Sequence, residues 1–244
     1  MRTSAASSVR LSIVFVLALI VLAIPLAGCG PTVTATLAPA QMQVTIDVKD
    51  YHQGTAPVAI RFANLQDNTI EFVHGETVTC DGTYLKYESA FIAQWFGYGS
   101  YTGDVSRQSP GASYTFQYTA PQGSPLSIAV PVVNAPVTIT NIASGGPVNI
   151  PSAGTPFVVN YSESGIPNTN LYATATDSRS HTALALAFND PGAISFNGND
   201  FSQFAPGPGT ITVSRVTTET ISGTSFSKVT AGYENIITLP VIWQ

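Results

Sequence analysis

The sequence predicts an all-β protein, in which two tandem β-sandwich domains follow an N-terminal export signal and a short tether. Two observations support this fold class. Apolar residues alternate with polar ones in short segments that recur every roughly 8 to 15 residues, with Gly, Pro, Asn or Asp between them. Beyond the N-terminus, no segment keeps the helical period over a useful length.

The composition limits the classes of function. Charged residues make up only 9% of the 244 residues, against about 25% in an ordinary soluble domain, while hydrophobic residues make up 44%. The 14 acidic residues outnumber the 9 basic ones, so nucleic acid is not expected as a partner. Two cysteines cannot provide a disulfide framework. The length fits one large β domain or two of about 100 residues.

Residues 1–28 have the pattern of an export signal. Arg2 and Arg10 give the start a positive charge, and residues 11–24 are apolar apart from Ser12. This apolar stretch is too short for a comfortable bilayer span.

The segment Leu26-Ala27-Gly28-Cys29 resembles the lipobox of bacterial lipoproteins. The resemblance implies that a diacylglyceryl group is attached to the Cys29 thiol and that a peptidase cuts just before this residue. Two or three acyl chains anchor a soluble domain stably. We therefore expect attachment to a cell membrane on its extracytoplasmic face. The alternative is an uncleaved signal anchor with a chance cysteine.

Residues 29–41 contain the lipidated cysteine and a flexible tether. From Gly30 to Gln41 the chain has no charge and no sustained apolar period. About a dozen residues can hold the folded part no more than about 40 Å from the membrane.

Residues 42–134 are predicted to form the first β-sandwich. The Asp81-Gly82 pair between two alternating arms is the strongest hairpin signal, because a type I′ turn needs positive φ at both central positions. The other predicted strands carry the following alternating residues: Val44, Ile46 and Val48; Val58, Ile60 and Phe62; Ile70 and Phe72; Tyr114, Phe116 and Tyr118; Leu126, Ile128, Val130 and Val132.

Residues 135–244 are predicted to form the second sandwich, after a break at Asn134-Ala135-Pro136 where the proline cannot donate to a sheet. Its predicted strands carry Val137 and Ile139; Val148 and Ile150; Phe157, Val159 and Tyr161; Leu171, Ala173 and Ala175; Leu184, Leu186 and Phe188; Ile211 and Val213; Phe226 and Val229; and the run 236–243. About seven short strands in each half are typical of a sandwich.

The whole pattern resembles that of bacterial surface lipoproteins with two immunoglobulin-like modules. The lipobox and four further segments carry the resemblance: residues 74–82, 111–119, 206–211 and 241–243. The resemblance implies two immunoglobulin-like sandwiches at the cell surface, without the Cys-Trp-Cys spacing of antibody domains. It implies no activity or substrate.

The titratable residues show no catalytic or metal-binding motif, so we predict neither a cofactor nor a metal. His52, His74 and His181 lack the spacing of a metal site, although His52 follows Asp50 by two residues and could contribute to a cross-strand site. Cys80 alternates with apolar Val78, which favours a buried thiol.

Two polar patterns leave alternatives open. Acidic residues scattered over turns could pair as in a glycosidase. Asn197-Gly198-Asn199-Asp200 could hold calcium, although Asn and Asp also favour turns by themselves.

The aromatic segment 95–101 is the candidate ligand-binding site. Trp95, Tyr98 and Tyr101 lie among glycines without a nearby charge, and exposed aromatic rings can stack on sugars or peptides. The alternative is that this segment packs between the sheets.

These observations predict a non-catalytic, lipid-anchored extracytoplasmic protein that acts as a surface binding or structural module, with an extracellular glycan or protein as its ligand. A carbohydrate-binding module that uses residues 95–101 and an envelope hydrolase with a carboxylate pair are the alternatives.

Overall fold

The computed structural model describes residues 37–89, 99–132, 137–162 and 165–244. Within these ranges the regular structure consists of β-strands and two short 3-10 turns, which confirms the predicted all-β class. The turns are Pro39–Gln41 and Gly198–Phe201. The strands are β1 (Met42–Asp50), β2 (Thr55–Asn64), β3 (Thr77–Cys80), β4 (Thr83–Tyr84), β5 (Lys86–Glu88), β6 (Ser100–Ser106), β7 (Ser113–Thr119), β8 (Leu126–Pro131), β9 (Pro147–Val148), β10 (Phe157–Asn160), β11 (Thr169–Asp177), β12 (Thr182–Phe188), β13 (Ala193–Phe196), β14 (Gly207–Thr220) and β15 (Lys228–Trp243).

One long sheet runs through the described structure. Its strands follow the order β12-β11-β14-β15-β1-β2-β6-β5, and β9 adds to the C-terminal end of β15. A four-stranded sheet, β4-β3-β7-β8, and a two-stranded sheet, β10-β13, form separate layers. The buried residues fall into two hydrophobic cores, one against each smaller sheet. The predicted sandwich arrangement is therefore present.

The first core lies between the β15-β1-β2-β6-β5 part of the long sheet and the four-stranded sheet. The alternation in the sequence predicts the buried faces of these strands correctly. Val44, Ile46 and Val48 of β1 are buried, and Ile46 pairs with buried Ile60 on β2. The hairpin predicted at Asp81-Gly82 is confirmed, because both residues have positive φ and join β3 to β4.

The second core is built around aromatic rings. Phe157, Phe196, Phe201, Phe204 and Trp243 form a cluster with ring centroids 4.7–5.9 Å apart. The indole N–H of Trp243 donates to the carbonyl of a β11 residue, Thr176, at 3.0 Å. The prediction that Trp243 is a core residue is confirmed.

The hairpin of β14 and β15 belongs to both cores. Ile211 on β14 and Val241 on β15 are buried in the second core, whereas Phe226, Val229 and Tyr233 are buried in the first. The first half of β15 pairs in parallel with β1 over residues 228–235. Residues of the last hairpin therefore contribute to the first sandwich as well as to the second.

Residues 1–36, which contain the predicted export signal, Cys29 and most of the tether, lie outside the described residues. Residues 133–136, with the predicted break, also lie outside them. Leu37 packs against the first core, and a 3-10 turn leads directly into β1. In the part of the chain that the structure describes, no helix has the length and apolar character needed to cross a membrane.

A fragment of residues 42–134 is expected not to fold by itself. Without β15, the backbone of β1 loses its parallel partner and the first core loses Phe226, Val229 and Tyr233. Losing a buried aromatic side chain alone costs about 3–5 kcal/mol, a large part of the stability of a small domain. Proton NMR dispersion and urea unfolding measure the outcome.

The control is the chain from residue 37 to 244, which keeps β15. A cooperative urea transition in the 42–134 fragment with a dispersed amide spectrum would show that β15 is dispensable for the first sandwich.

Candidate functional site

Buried Asp50, at the end of β1, organises a partly buried polar cluster in the first sandwich. Its carboxylate accepts hydrogen bonds from Arg107 Nε at 2.7 Å and from the Tyr233 hydroxyl at 2.8 Å. The backbone N–H of His52, a residue with φ of 58°, donates to the same carboxylate at 2.7 Å. The Nδ1 atom of His52 lies 3.0 Å from an Arg107 nitrogen. Asp50 thus joins β1, β15 and the residue that follows β6.

The pKa values of Asp50 and His52 are both lowered in this cluster, for different reasons. Burial raises the pKa of Asp50, but the hydrogen bonds from Arg107, His52 and Tyr233 together outweigh burial, so the pKa lies below its ordinary value. Burial is the largest cause of the lowered pKa of His52, and Arg107 adds to it against the attraction of Asp50. The carboxylate is therefore held ionised, with its oxygens committed to hydrogen bonds within the fold.

Asp177 has a corresponding position at the end of β11. Its carboxylate accepts hydrogen bonds from the backbone N–H groups of Arg179, His181 and Ala205, and from Nδ1 of His181 at 2.9 Å. Burial raises its pKa, but these hydrogen bonds hold the pKa well below its ordinary range. The residue closes the turn between β11 and β12.

A third carboxylate, Asp190, lies in the second sandwich beside a buried arginine. Arg215 lies 3.5 Å from Asp190 Oδ1, donates to the carbonyl of Ser162 at 3.1 Å and stands over the ring of Tyr161. The other oxygen of Asp190 accepts from the backbone N–H of Ile166 at 3.0 Å. This pair ties β14 to two loops.

A shallow depression of about 330 Å³ lies on the outer face of the first sandwich. Its lining includes the charged residues Asp47, Lys49 and Asp104 and the apolar residues Pro57 and Ala59. Burial is the largest cause of the raised pKa of Asp47, which Lys49 lowers and Glu234 raises further. Its polar rim can accept hydrogen bonds from a ligand, but its described lining contains no aromatic ring for stacking on a sugar.

Among the described residues, a cluster of exposed apolar side chains lies at the β12 end of the long sheet. Leu184, Leu186 and Phe188 on β12 are 68%, 48% and 62% exposed, and Tyr172 on β11 is 49% exposed. Tyr172 pairs directly with Leu186, so the four side chains share the outer face of two neighbouring strands. We call these four residues the β11–β12 apolar face. Contiguous apolar surface of this kind is typical of an interaction site.

The sequence does not reveal this face, because both sides of β12 are apolar. The predicted strand is present, and the structure buries Ala183 and half-buries Ala185 and Ala187, so that Leu184, Leu186 and Phe188 face outward. The aromatic cluster fills the second core, so only small side chains fit where β12 covers it.

Of the three aromatic residues predicted as a ligand site in segment 95–101, the structure describes Tyr101. Tyr101 is 7% exposed, and its hydroxyl accepts a hydrogen bond from the backbone N–H of Phe72 at 2.7 Å. It faces inward because it pairs across β6 and β2 with buried Ile60. Tyr101 therefore offers no surface for stacking. Trp95 and Tyr98 lie outside the described residues, as does Cys29.

The remaining predicted side chains take structural positions. Cys80 is buried in the first core as expected, and burial raises the pKa of its thiol to about 12. The side-chain oxygens of Asn197 and Asn199 accept backbone hydrogen bonds in and beside the second 3-10 turn. Among the residues described, no group of three His, Cys, Asp or Glu residues has the geometry to hold a metal ion.

Comparison with known proteins gives only distant likenesses. No protein-family model matches the sequence, and no curated protein matches it. The solved structures that are similar in part include the three described next. A tandem of titin immunoglobulin domains has 12% identity and a TM-score of 0.23, with 85% of this chain and 96% of that one covered.

The Bacteroides ovatus protein SGBP-B, from a mixed-linkage glucan utilization locus and solved with a mixed-linkage heptasaccharide, has 10% identity and a TM-score of 0.24. The match covers 88% of this chain and 65% of that one. Domains 4 and 5 of the S-layer protein SbsC have 14% identity and a TM-score of 0.18, with coverages of 78% and 82%. Likenesses at these TM-scores do not assign a ligand or an activity.

Replacing Asp50→Asn is expected to destabilise the fold by about 1–3 kcal/mol at neutral pH, because half-buried Arg107 and buried Tyr233 lose the charge of their acceptor. The folded-state pKa of Asp50 is lowered, so its contribution is present above the ordinary carboxyl pKa of about 4 and is lost as the pH falls below it. The difference between wild type and variant should therefore shrink in urea unfolding below pH 4.

Asp67→Asn is the matched control, because Asp67 is 64% exposed and forms a surface ion pair with Arg61. Its removal should cost less than about 1 kcal/mol at any pH. Equal effects of the two substitutions at neutral pH would contradict the structural role assigned to Asp50.

Proposed function

We propose that the protein is a non-catalytic, lipid-anchored surface module that contacts other proteins through the β11–β12 apolar face. The observation that carries this function is the exposure of four large apolar side chains on one face of the edge strand β12 and its neighbour β11. Exposing such a cluster to water is unfavourable by about 25 cal/mol per Å². A partner that covers these side chains recovers this free energy.

The lipid on Cys29 supplies the attachment to the membrane. Leu37 already packs against the first sandwich, so only eight peptide steps separate it from Cys29. At about 3.5 Å per residue, these steps span no more than about 28 Å. The described strands therefore stay close to the extracytoplasmic surface of the membrane. A partner at that surface is within their reach.

The internal polar clusters support a binding role over a catalytic one. Asp50, Asp177 and Asp190 each accept hydrogen bonds that hold a strand end or a loop in place. A general acid or base needs an oxygen free to reach the substrate. These three buried carboxylates hold the scaffold together instead.

Replacing Cys29→Ala is expected to abolish incorporation of labelled palmitate and to remove the processed protein from the detergent-soluble membrane fraction. Only a thiol at this position can receive the diacylglyceryl group. Metabolic labelling followed by mass spectrometry of the N-terminal peptide measures this directly.

The matched control is Cys80→Ala, which removes a buried thiol and leaves the lipobox intact. It should keep the label. Detection of an unacylated N-terminal peptide in the wild-type protein would contradict the anchor.

A further inference from the structure

His52, in the turn between β1 and β2, is the member of the Asp50 cluster whose charge can change near neutral pH. Its side chain is 23% exposed. The Nδ1 atom lies 3.0 Å from Nη2 of Arg107 and 3.8 Å from Oδ1 of Asp50. The Nε2 atom is buried and has no hydrogen-bond partner within the described part of the chain. The described hydrogen bond of the ring is therefore the one with Arg107.

This contact fixes which nitrogen of His52 carries the proton. A guanidinium group only donates hydrogen bonds, so Nδ1 of His52 has to accept from Arg107 and is not protonated. The neutral ring therefore has its proton on Nε2.

His181 has the opposite arrangement in the second sandwich. Its Nδ1 atom lies 2.9 Å from Oδ2 of Asp177, and an ionised carboxylate only accepts hydrogen bonds. The neutral ring of His181 therefore has its proton on Nδ1. A second proton goes to Nε2 and leaves the contact with Asp177 intact, so His181 serves as an internal comparison for His52.

A second proton on His52 is incompatible with the observed contact. It places two N–H donors, one on Nδ1 and one on Nη2 of Arg107, opposite each other with two positive charges side by side. The new N–H group lies near Oδ1 of Asp50, which already accepts from Arg107 Nε and from the backbone N–H of His52, each at 2.7 Å. Protonated His52 and Arg107 therefore compete for one carboxylate oxygen.

The two tyrosines near the cluster do not relieve this competition. The Tyr233 hydroxyl on β15 donates to the other oxygen of Asp50 at 2.8 Å, and the Tyr114 hydroxyl on β7 accepts a backbone hydrogen bond at 3.0 Å. Burial raises the pKa of both tyrosines, so both stay neutral. Burial also lowers the pKa of His52, and Arg107 adds to this against the attraction of Asp50.

Arg107 connects the cluster to the chain that follows β6. Its backbone N–H donates to the carbonyl of Gly54 at 3.1 Å, and its guanidinium group donates to Asp50. If the guanidinium group leaves, Asp50 still joins β1 to β15 through Tyr233, but it no longer holds the residue after β6.

We propose that His52 is a pH-sensitive switch in the first sandwich, whose protonation displaces Arg107 from the ring and weakens the attachment of the chain after β6 to Asp50. This property goes beyond the proposed function and does not depend on the lipid anchor or on the β11–β12 apolar face.

The effect on stability has a defined sign. The pKa of His52 is lowered in the folded state, so the unfolded chain takes up the proton first as the pH falls through the ordinary histidine value of about 6.5. Acid therefore favours unfolding from that value downward. The loss is complete once the pH lies below the folded-state pKa of His52.

NMR of the full chain in detergent tests the proposal on the wild-type protein, with His52→Asn used to assign the His52 signals. At mildly alkaline pH, long-range proton–nitrogen correlations should place the proton of His52 on Nε2 and that of His181 on Nδ1. On acidification, His52 should titrate at a lower pH in the folded chain than in the urea-unfolded chain. The Nε–H signal of Arg107 should weaken with the same midpoint.

Urea unfolding measures the consequence for stability. Between about pH 7 and pH 5, the transition midpoint of the wild type should fall relative to that of His52→Asn, which takes up no proton. Asparagine also tolerates the left-handed backbone of this position, where φ is 58°. The matched control, His74→Asn, replaces an exposed histidine and should follow the wild type.

Four results would overturn the switch. They are a proton on Nδ1 of neutral His52, a His52 midpoint at or above that of the unfolded chain, an Arg107 signal that stays unchanged while His52 titrates, and the same pH dependence of stability in the wild type and His52→Asn. The first three are measured on the wild-type protein, so they hold whether or not the variant folds.

Discussion

The pairing of β15 with β14 on one side and with β1 on the other is the constraint on which the rest of the structure depends. β15 has 16 residues, long enough to pass from the first core at Val229 to the second at Trp243. Asp50 strengthens the junction by accepting from Arg107 after β6 and from Tyr233 on β15. The two sandwiches are thus parts of one hydrogen-bonded sheet, and each requires residues of the last hairpin.

A continuous sheet has only two ends, and their chemistry differs. The β5 end is short and charged, whereas the β12 end is longer, uncharged and flanked by exposed Tyr172, Leu186 and Phe188. The rigid scaffold between them holds the apolar face in a fixed orientation, because the internal carboxylates tie the strand ends together. The proposed lipid anchor on Cys29 would limit the distance of this face from the membrane. With that anchor, the fold and the exposed face would suit association at a membrane surface.

Local patterns in the sequence predicted the strands that bury one face, such as β1 with Ile46, and the hairpin turn at Asp81-Gly82, whose geometry depends on adjacent residues. The place of β15 could not be predicted, because its parallel pairing with β1 joins residues far apart in the chain. The orientation of β12 could not be predicted either. Alternation does not show which face of the strand is buried when Ala185 and Leu186 are both apolar. The buried face depends on the aromatic cluster that fills the second core. The burial of Tyr101 could not be predicted either, because it depends on the pairing of β6 with β2.

Native-state hydrogen exchange in mild denaturant tests the shared sheet most directly. The slowest-exchanging amides of β1 report on the first sandwich, and those of β11 report on the second. We expect both sets to reach the same opening free energy, within about 1 kcal/mol, with the same dependence on denaturant, because neither sandwich is complete without the β14–β15 hairpin. Opening of β1 at several kcal/mol below β11, in a separate transition, would contradict this account.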